Sequence, residues 1–173
     1  MSDRIAIFVD GLNLHASARA LGFEIDYGRL LERFKGQGAL VRAFYYAAPD
    51  EQEYSSIRPL IDWLEYNGYS VVKRVNRGPA FGAGGRKPKS GMEIDLVVNA
   101  MELAAHLDQM VLFSGDGGFR RLVEAVQRRG VRVTVVSTVA SRPTTTSDDL
   151  RRQADAFIDL ADLRLEIARR VPS

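Results

Sequence analysis

The chain contains no cysteine and only two histidines among its 173 residues. Disulfides, thiolate zinc sites and cysteine nucleophiles are therefore excluded, and little remains for a nitrogen-ligated zinc site. Nowhere does an apolar run reach the roughly 18 residues that cross a bilayer. Met1-Ser2-Asp3-Arg4 leads straight into the first apolar run, so the expectation is a soluble, cytoplasmic protein with no membrane partner. A large excess of one charge is also missing. Lys and Arg number 24 against 22 Asp and Glu, so affinity for a polyanion has to come from where the charges sit. The length and a hydrophobic content of 46% suit one compact domain spanning residues 1–173.

What the chain does have is Ile5-Ala6-Ile7-Phe8-Val9-Asp10-Gly11-Leu12-Asn13. A short unbroken apolar run that stops at Asp-Gly reads as a strand buried on both faces, delivering a carboxylate to the carboxyl edge of a sheet. Met110-Val111-Leu112-Phe113-Ser114-Gly115-Asp116 repeats the pattern. If the two strands are neighbours, Asp10 and Asp116 face one crevice, which is where open α/β sheets bind ligands.

Between these runs the chain alternates helix and strand. Helices are expected over Leu14–Leu21, over Tyr27–Phe34 capped by Asp26, and from Pro49 to Asn67-Gly68 with Asp50 and Glu53 at capping-box spacing. Further helices are expected over Gly91–Leu107, Phe119–Arg129, Asp148–Ala154 and Leu163–Arg170. Strands are expected over 39–47, 69–75 and 131–137, with Ala156–Leu160 as a short edge strand or extended piece and 76–90 as a loop. Such alternation implies an α/β protein with three α/β/α layers and a mainly parallel five-stranded sheet of order 3-2-1-4-5.

The helix from Gly91 carries Glu93 and Asp95 in its first turns, with Asn99 one turn beyond Asp95. Asp10, Asp116, Glu93 or Asp95, with Asn13 as a neutral oxygen donor, make a hard, oxygen-only set that suits Mg²⁺ or Mn²⁺. Such an ion activates water towards a phosphodiester, and no side-chain nucleophile is required. Ser114, with no histidine base evident beside it, reads as a strand-end hydrogen bonder.

The residues Phe8-Val9-Asp10-Gly11-Leu12-Asn13-Leu14, Lys89-Ser90-Gly91-Met92-Glu93-Ile94-Asp95-Leu96-Val97-Val98-Asn99-Ala100-Met101, Ser114-Gly115-Asp116-Gly117-Gly118-Phe119 and Ala154-Asp155-Ala156-Phe157 together resemble the NYN domain, of the PIN-like metal-dependent ribonuclease superfamily, in its bacterial LabA-like branch. The resemblance runs over nearly the whole chain in the family's order. It implies a PIN-like (Rossmannoid) fold, metal-binding roles for Asp10 and Asp116, and a supporting role for Asn13. The chain departs from the family pattern in three places: Met92-Glu93 replaces the common Val-Asp, Asn99 replaces a helical Asp, and Gly118 stands where an acidic residue is common. Asp95 stays a candidate ligand because it is acidic and near the helix start.

Other readings attach to the same residues. Asp10 and Asp116 can cap the helices that follow them, Ser90-Gly91-Met92-Glu93 is itself a capping-box pattern, and Asp95 and Asn99 can be solvated helix-face residues. Lys73, Arg74, Arg77, Arg86, Lys87 and Lys89 fall in a glycine-rich stretch without acid, and Phe81 offers a face on which an unpaired base can stack. Arg120 and Arg121 add candidate phosphate contacts after Asp116, while Thr144-Thr145-Thr146-Ser147 can bind phosphate or cap the next helix. His15 follows the first motif and can touch substrate or remain an ordinary exposed histidine.

The expected function is a divalent-metal-dependent endoribonuclease for single-stranded RNA. Asp10, Asp116, Glu93 and Asp95 would be catalytic and metal-binding; Asn13, Ser114, Arg74, Arg77, Arg86, Lys87, Lys89 and Arg120 would hold substrate. The alternative is a catalytically weak RNA- or protein-binding regulator that keeps the fold. A covalent aspartyl phosphatase is disfavoured because Leu12 occupies the position of its second aspartate, and a dinucleotide site because the spaced glycines are missing. By analogy with PIN-like proteins a homodimer is possible.

Overall fold

The computed structural model describes residues 2–75, 91–142 and 144–170. Its centre is β1 (Arg4–Asp10), in which every residue from Ile5 to Asp10 is buried. Side chains alternate across a strand, and here each face meets a different core. Ile5, Ile7 and Val9 enter one apolar cluster; Ala6 and Phe8 enter another. This explains the unbroken apolar run, because no side of the strand meets water.

The chain leaves β1 through α1 (Gly11–Ala20) and α2 (Tyr27–Lys35) to reach β2 (Ala39–Ala47), then through α3 (Glu51–Tyr66) to β3 (Ser70–Lys73). Beyond residue 90 come α4 (Met92–Leu103), β4 (Gln109–Phe113), α5 (Arg120–Gln127) and β5 (Arg132–Ser137). The chain closes with α6 (Asp148–Gln153), β6 (Ala156–Asp159) and α7 (Leu160–Ile167). Apolar stripes sort these helices into two layers. Leu14, Leu30, Phe34, Ile61, Leu64 and Leu163 place α1, α2, α3 and α7 against one face; Leu96, Ala100, Val123, Val126 and Leu150 place α4, α5 and α6 against the other. Each such large aliphatic or aromatic side chain, fully buried, contributes about 1.5–3 kcal/mol.

All strands are parallel, in the order β3-β2-β1-β4-β5-β6. The expected five-stranded order therefore stands with one addition. Ala156–Asp159 pairs in parallel with Thr134–Ser137, so the uncertain stretch near the chain's end is a sixth strand at the sheet edge. It was hard to read because so short a segment contains only one strong β-former per face. Two helices are also shorter than their sequence spans suggest. The turn Ala104–His106 tightens into a 3₁₀ helix after α4, and another at Gly117–Phe119 precedes α5.

β1 pairs with β2 on one side and β4 on the other, although β4 comes much later in the chain. The strand order reverses between β1 and β4, and their carboxyl ends flank the crevice this reversal creates. Among the described residues no helix is long and apolar enough to cross a membrane. The expected basic loop positions Arg77, Phe81, Arg86, Lys87 and Lys89 lie outside the described residues.

Candidate carboxylate pole

Asp10 ends β1 at this crevice, and its side chain is buried. Its two oxygens have different partners. Oδ1 accepts from the backbone N–H of Asn13 at 3.3 Å, which caps α1, and Oδ2 accepts from Ser114 Oγ at 2.9 Å. The capping reading and the delivery of a carboxylate are thus both realised in one residue. Ser114 is wholly buried and also accepts from the Asp116 N–H at 3.2 Å, so it ties the last residue of β1 to the loop after β4.

Asn13 makes a second tie between the same two segments, since its Oδ1 accepts from the Gly115 N–H at 3.0 Å. Asp116 is exposed, and its Oδ1 accepts from the Gly118 N–H at 2.9 Å. Glu93 is exposed on the first turn of α4. Gly91 occupies the N-cap with φ of 81° and makes no side-chain cap hydrogen bond, which leaves Glu93 at the second helical position. A capping-box acid belongs at the third, so capping does not explain Glu93.

Burial raises the Asp10 pKa above its ordinary carboxylate value; the hydrogen bonds from Ser114 and Asn13 oppose this, and the neighbouring charges of Asp116 and Glu93 add to it. No salt bridge to Asp10, Asp116 or Glu93 forms among the described residues. A hollow of about 220 Å³ lies beside this acid group, bounded by Glu93, Asp116, Gly118, Val97 and the Phe119 side chain.

Asp95 is placed elsewhere. It accepts two hydrogen bonds from the Arg74 guanidinium, one of them from Nη2 at 2.9 Å, and that pairing holds its carboxyl below the usual range. Arg74 is correspondingly engaged with a carboxylate. Asn99, one turn further along α4, donates from Nδ2 to the Tyr46 hydroxyl at 2.9 Å. Arg120 lies 3.5 Å from Glu124, which also meets Arg121 at 3.2 Å and Arg128. Ser147 caps α6, in keeping with the capping reading of that Thr-Ser run. His15 is exposed on α1.

The structure thus brings Asp10, Asn13, Ser114, Asp116 and Glu93 to one pole, while Asp95 and Arg74 form a separate pair beside it. Among the described residues no three Asp, Glu or His side chains already stand as a closed metal cage. The donor chemistry is nonetheless of the kind a hard divalent ion takes: Asp10, Asp116 and Glu93 offer carboxylate oxygens near enough for their charges to act on one another, no salt bridge engages them among the described residues, and the chain has no cysteine sulfur to compete.

Two tight contacts at this pole were not evident from local sequence. A Cβ on Gly11 would stand 2.6 Å from Tyr45 Cζ and 2.7 Å from the Tyr46 carbonyl oxygen; one on Gly115 would stand 2.0 Å from the Thr145 carbonyl oxygen. The glycines themselves mark close approaches. Their partners lie some thirty residues away in sequence, beyond the reach of any local pattern.

A model of the NYN domain matches residues 4–163 of the chain. The low amplitude and bright protein LabA of Synechococcus elongatus is 31% identical over 166 residues, which cover 93% of this chain and 86% of that protein. Among solved structures, a protein of unknown function, VPA0982, from Vibrio parahaemolyticus superposes with a TM-score of 0.77 at 26% identity, covering 97% of each chain.

Proposed function

Since the chain belongs to the NYN domain family, a family of PIN-like nucleases, we propose that it is a divalent-metal-dependent endoribonuclease of single-stranded RNA, acting as one catalytic domain in the cytoplasm. The observation that carries this reading is the buried Asp10, pressed towards Asp116 and Glu93 with no basic side chain among the described residues to neutralise the group. An electrostatic arrangement so unfavourable on its own is typical of a site completed by a ligand.

Asp10, Asp116 and Glu93 would hold Mg²⁺ or Mn²⁺. When bound, the ion would acidify a water and neutralise charge on the phosphoryl oxygens. The chain's own residues do the positioning. Ser114 donates to Asp10 Oδ2 and so fixes the plane of that carboxylate. Asn13 holds the Gly115 N–H and with it the turn that presents Asp116. Asp10, once ionised, supplies a general base or a ligand at a point shielded from bulk water. Asp95 contributes to the edge of the site through Arg74, which it fixes in place.

The test is cleavage of a labelled, mixed-sequence single-stranded RNA by the purified protein with Mn²⁺, Mg²⁺ or EDTA, beside Asp10→Asn. We expect cutting that needs metal and drops by at least about a hundredfold in the variant, the scale of losing one group that stabilises a transition state. Equal cutting by both proteins would overturn the assignment. A second reading, an RNA-binding regulator with little turnover, draws on Asn99 and Gly118: the first is bound to Tyr46 and the second carries no side chain, so neither adds charge to the pole. That reading gains if RNA binds, no metal supports cutting, and Asp10→Asn leaves binding unchanged.

A further inference from the structure

A groove of about 1040 Å³ separates α1 from α3, several times the volume of the hollow beside Glu93 and Asp116. Its α1 wall carries His15 and Arg19, four residues apart and hence on one helical face. The amino terminus of α1 is at the carboxylate pole, because Asp10 is its cap; His15 lies five residues on, about 8 Å along the helix and on a different side of it from Asp10. The opposite wall carries Trp63, which is 42% exposed although tryptophan is normally well buried. Phe23 lies between the walls at the far end.

The charges in the groove are unequal in their commitments. Glu24 pairs with Arg169 at 3.3 Å, and Asp26 accepts from the Arg29 N–H at 3.0 Å to cap α2. Arg19 and His15 form no salt bridge among the described residues. The α1 wall therefore offers Arg19, a guanidinium in no salt bridge among the described residues, with the His15 ring beside it, opposite a partly exposed tryptophan. That combination suits a strand with regularly spaced negative charges and unstacked rings, namely single-stranded nucleic acid.

We propose that the α1–α3 groove holds the single-stranded RNA on one side of the cleaved bond, with Arg19 and His15 meeting phosphates and Trp63 stacking on a base. The inference rests on the RNA-cleaving reading above and adds a binding subsite to it. It also gives the exposed tryptophan a use.

Trp63 is the only tryptophan in the chain, so the subsite carries its own reporter. Its emission is followed while a short mixed-sequence RNA is titrated in, both in EDTA and with Mg²⁺ in the Asp10→Asn variant, so that the strand stays whole. Quenching is expected in both. Anisotropy of end-labelled RNA then gives Kd for the variants. Trp63→Ala should weaken binding by about 5- to 150-fold, the range for loss of one base stack. Trp63→Phe should keep most of the affinity, which separates stacking from folding. Arg19→Ala should make the dependence of log K on log salt shallower by about 0.7, one single-strand phosphate contact. If RNA binds with unchanged Kd and salt slope in Trp63→Ala and Arg19→Ala, the groove inference fails while the function stands, and the groove serves some other partner such as a protein segment. If RNA binds neither to the unaltered protein in EDTA nor to Asp10→Asn with Mg²⁺, both fail together.

Discussion

At the amino-terminal edge of the sheet Asp108 accepts the Arg4 backbone N–H at 2.8 Å and its guanidinium at 3.3 Å, whereas at the carboxyl edge Asp10 feels the charges of two further carboxylates. Both aspartates join β1 to β4, since Asp108 stands just before β4 and Asp10 reaches Ser114 just after it. Their ionisation moves in opposite directions. The Arg4 N–H groups lower the Asp108 pKa, and burial raises that of Asp10. One edge pairs its acid with a cation, and the other leaves its acids in no salt bridge among the described residues. Under the proposed function the difference separates a residue that serves folding from one that serves a ligand, and it can be tested at three points.

The largest effect should come from closing the tight turn at the carboxyl edge. In Gly115→Ala the new Cβ would meet the Thr145 carbonyl at 2.0 Å and Ser137 Oγ at 2.6 Å, and a backbone carbonyl cannot move without its loop. The Asn13–Gly115 hydrogen bond and the placement of Asp116 should be lost with it. We expect cleavage to fall by about a hundredfold or more, the penalty of misplacing groups by an ångström, and stability to fall by about 1–3 kcal/mol from overpacking. Gly36→Ala on the amino-terminal side provides the contrast. There the Cβ finds its nearest atom at 3.5 Å and φ is −68°, so activity and melting temperature should stay as they are. A similar loss in both variants would dissolve the distinction between the edges.

An intermediate effect should appear when charge is removed from the pole. Asn at position 10 can still accept from the Asn13 N–H and can donate to Ser114 Oγ, while the buried negative charge disappears. In EDTA, Asp10→Asn should therefore melt higher than the unaltered protein, by about 2–4 °C if the relief is about 1 kcal/mol. Stability gained as activity is lost is the trade-off expected of a functional site. A lower melting temperature in EDTA would instead make Asp10 a structural residue, like Asp108.

The two edges also differ in how far the sequence exposed them. The strand order around β1, the caps at Asp26 and Asp50 and the convergence of Asp10 with Asp116 follow from apolar runs and helix signals, which are local and periodic. The sixth strand was ambiguous because Ala156–Asp159 is too short to show a period. Position in α4 alone groups Asp95 with the candidate ligands, yet a helix face has two flanks. Glu93 turns towards β1 and β4 and influences Asp10; Asp95 and Asn99 turn towards Arg74 and Tyr46. Which flank an acid serves depends on residues from β2 and the stretch after β3, which spacing within the helix cannot reveal. The α1–α3 groove was likewise invisible, since His15 and Trp63 are 48 positions apart and meet only through the packing of two helices on one sheet face.

The smallest effect belongs to the amino-terminal edge and concerns pH. Asp108 has a folded pKa below its ordinary value of 3.8, so over the interval between the two the unfolded chain binds more protons than the folded one. Its contribution to stability is therefore present in full above the unfolded value and is lost as pH falls through the folded one. Because the pair with Arg4 is substantially exposed, that contribution is small and screened by salt. Asp108→Asn should melt slightly below the unaltered protein at neutral pH and low salt. The gap should narrow as salt is added and close as the pH falls through the folded Asp108 pKa, which lies below 3.8, because both side chains are then neutral. No gap at any pH would mean that the Arg4 N–H needs the oxygen at position 108 only as a neutral acceptor, which Asn also supplies; the edge would then be held by hydrogen bonding, with charge playing no part in joining β1 to β4.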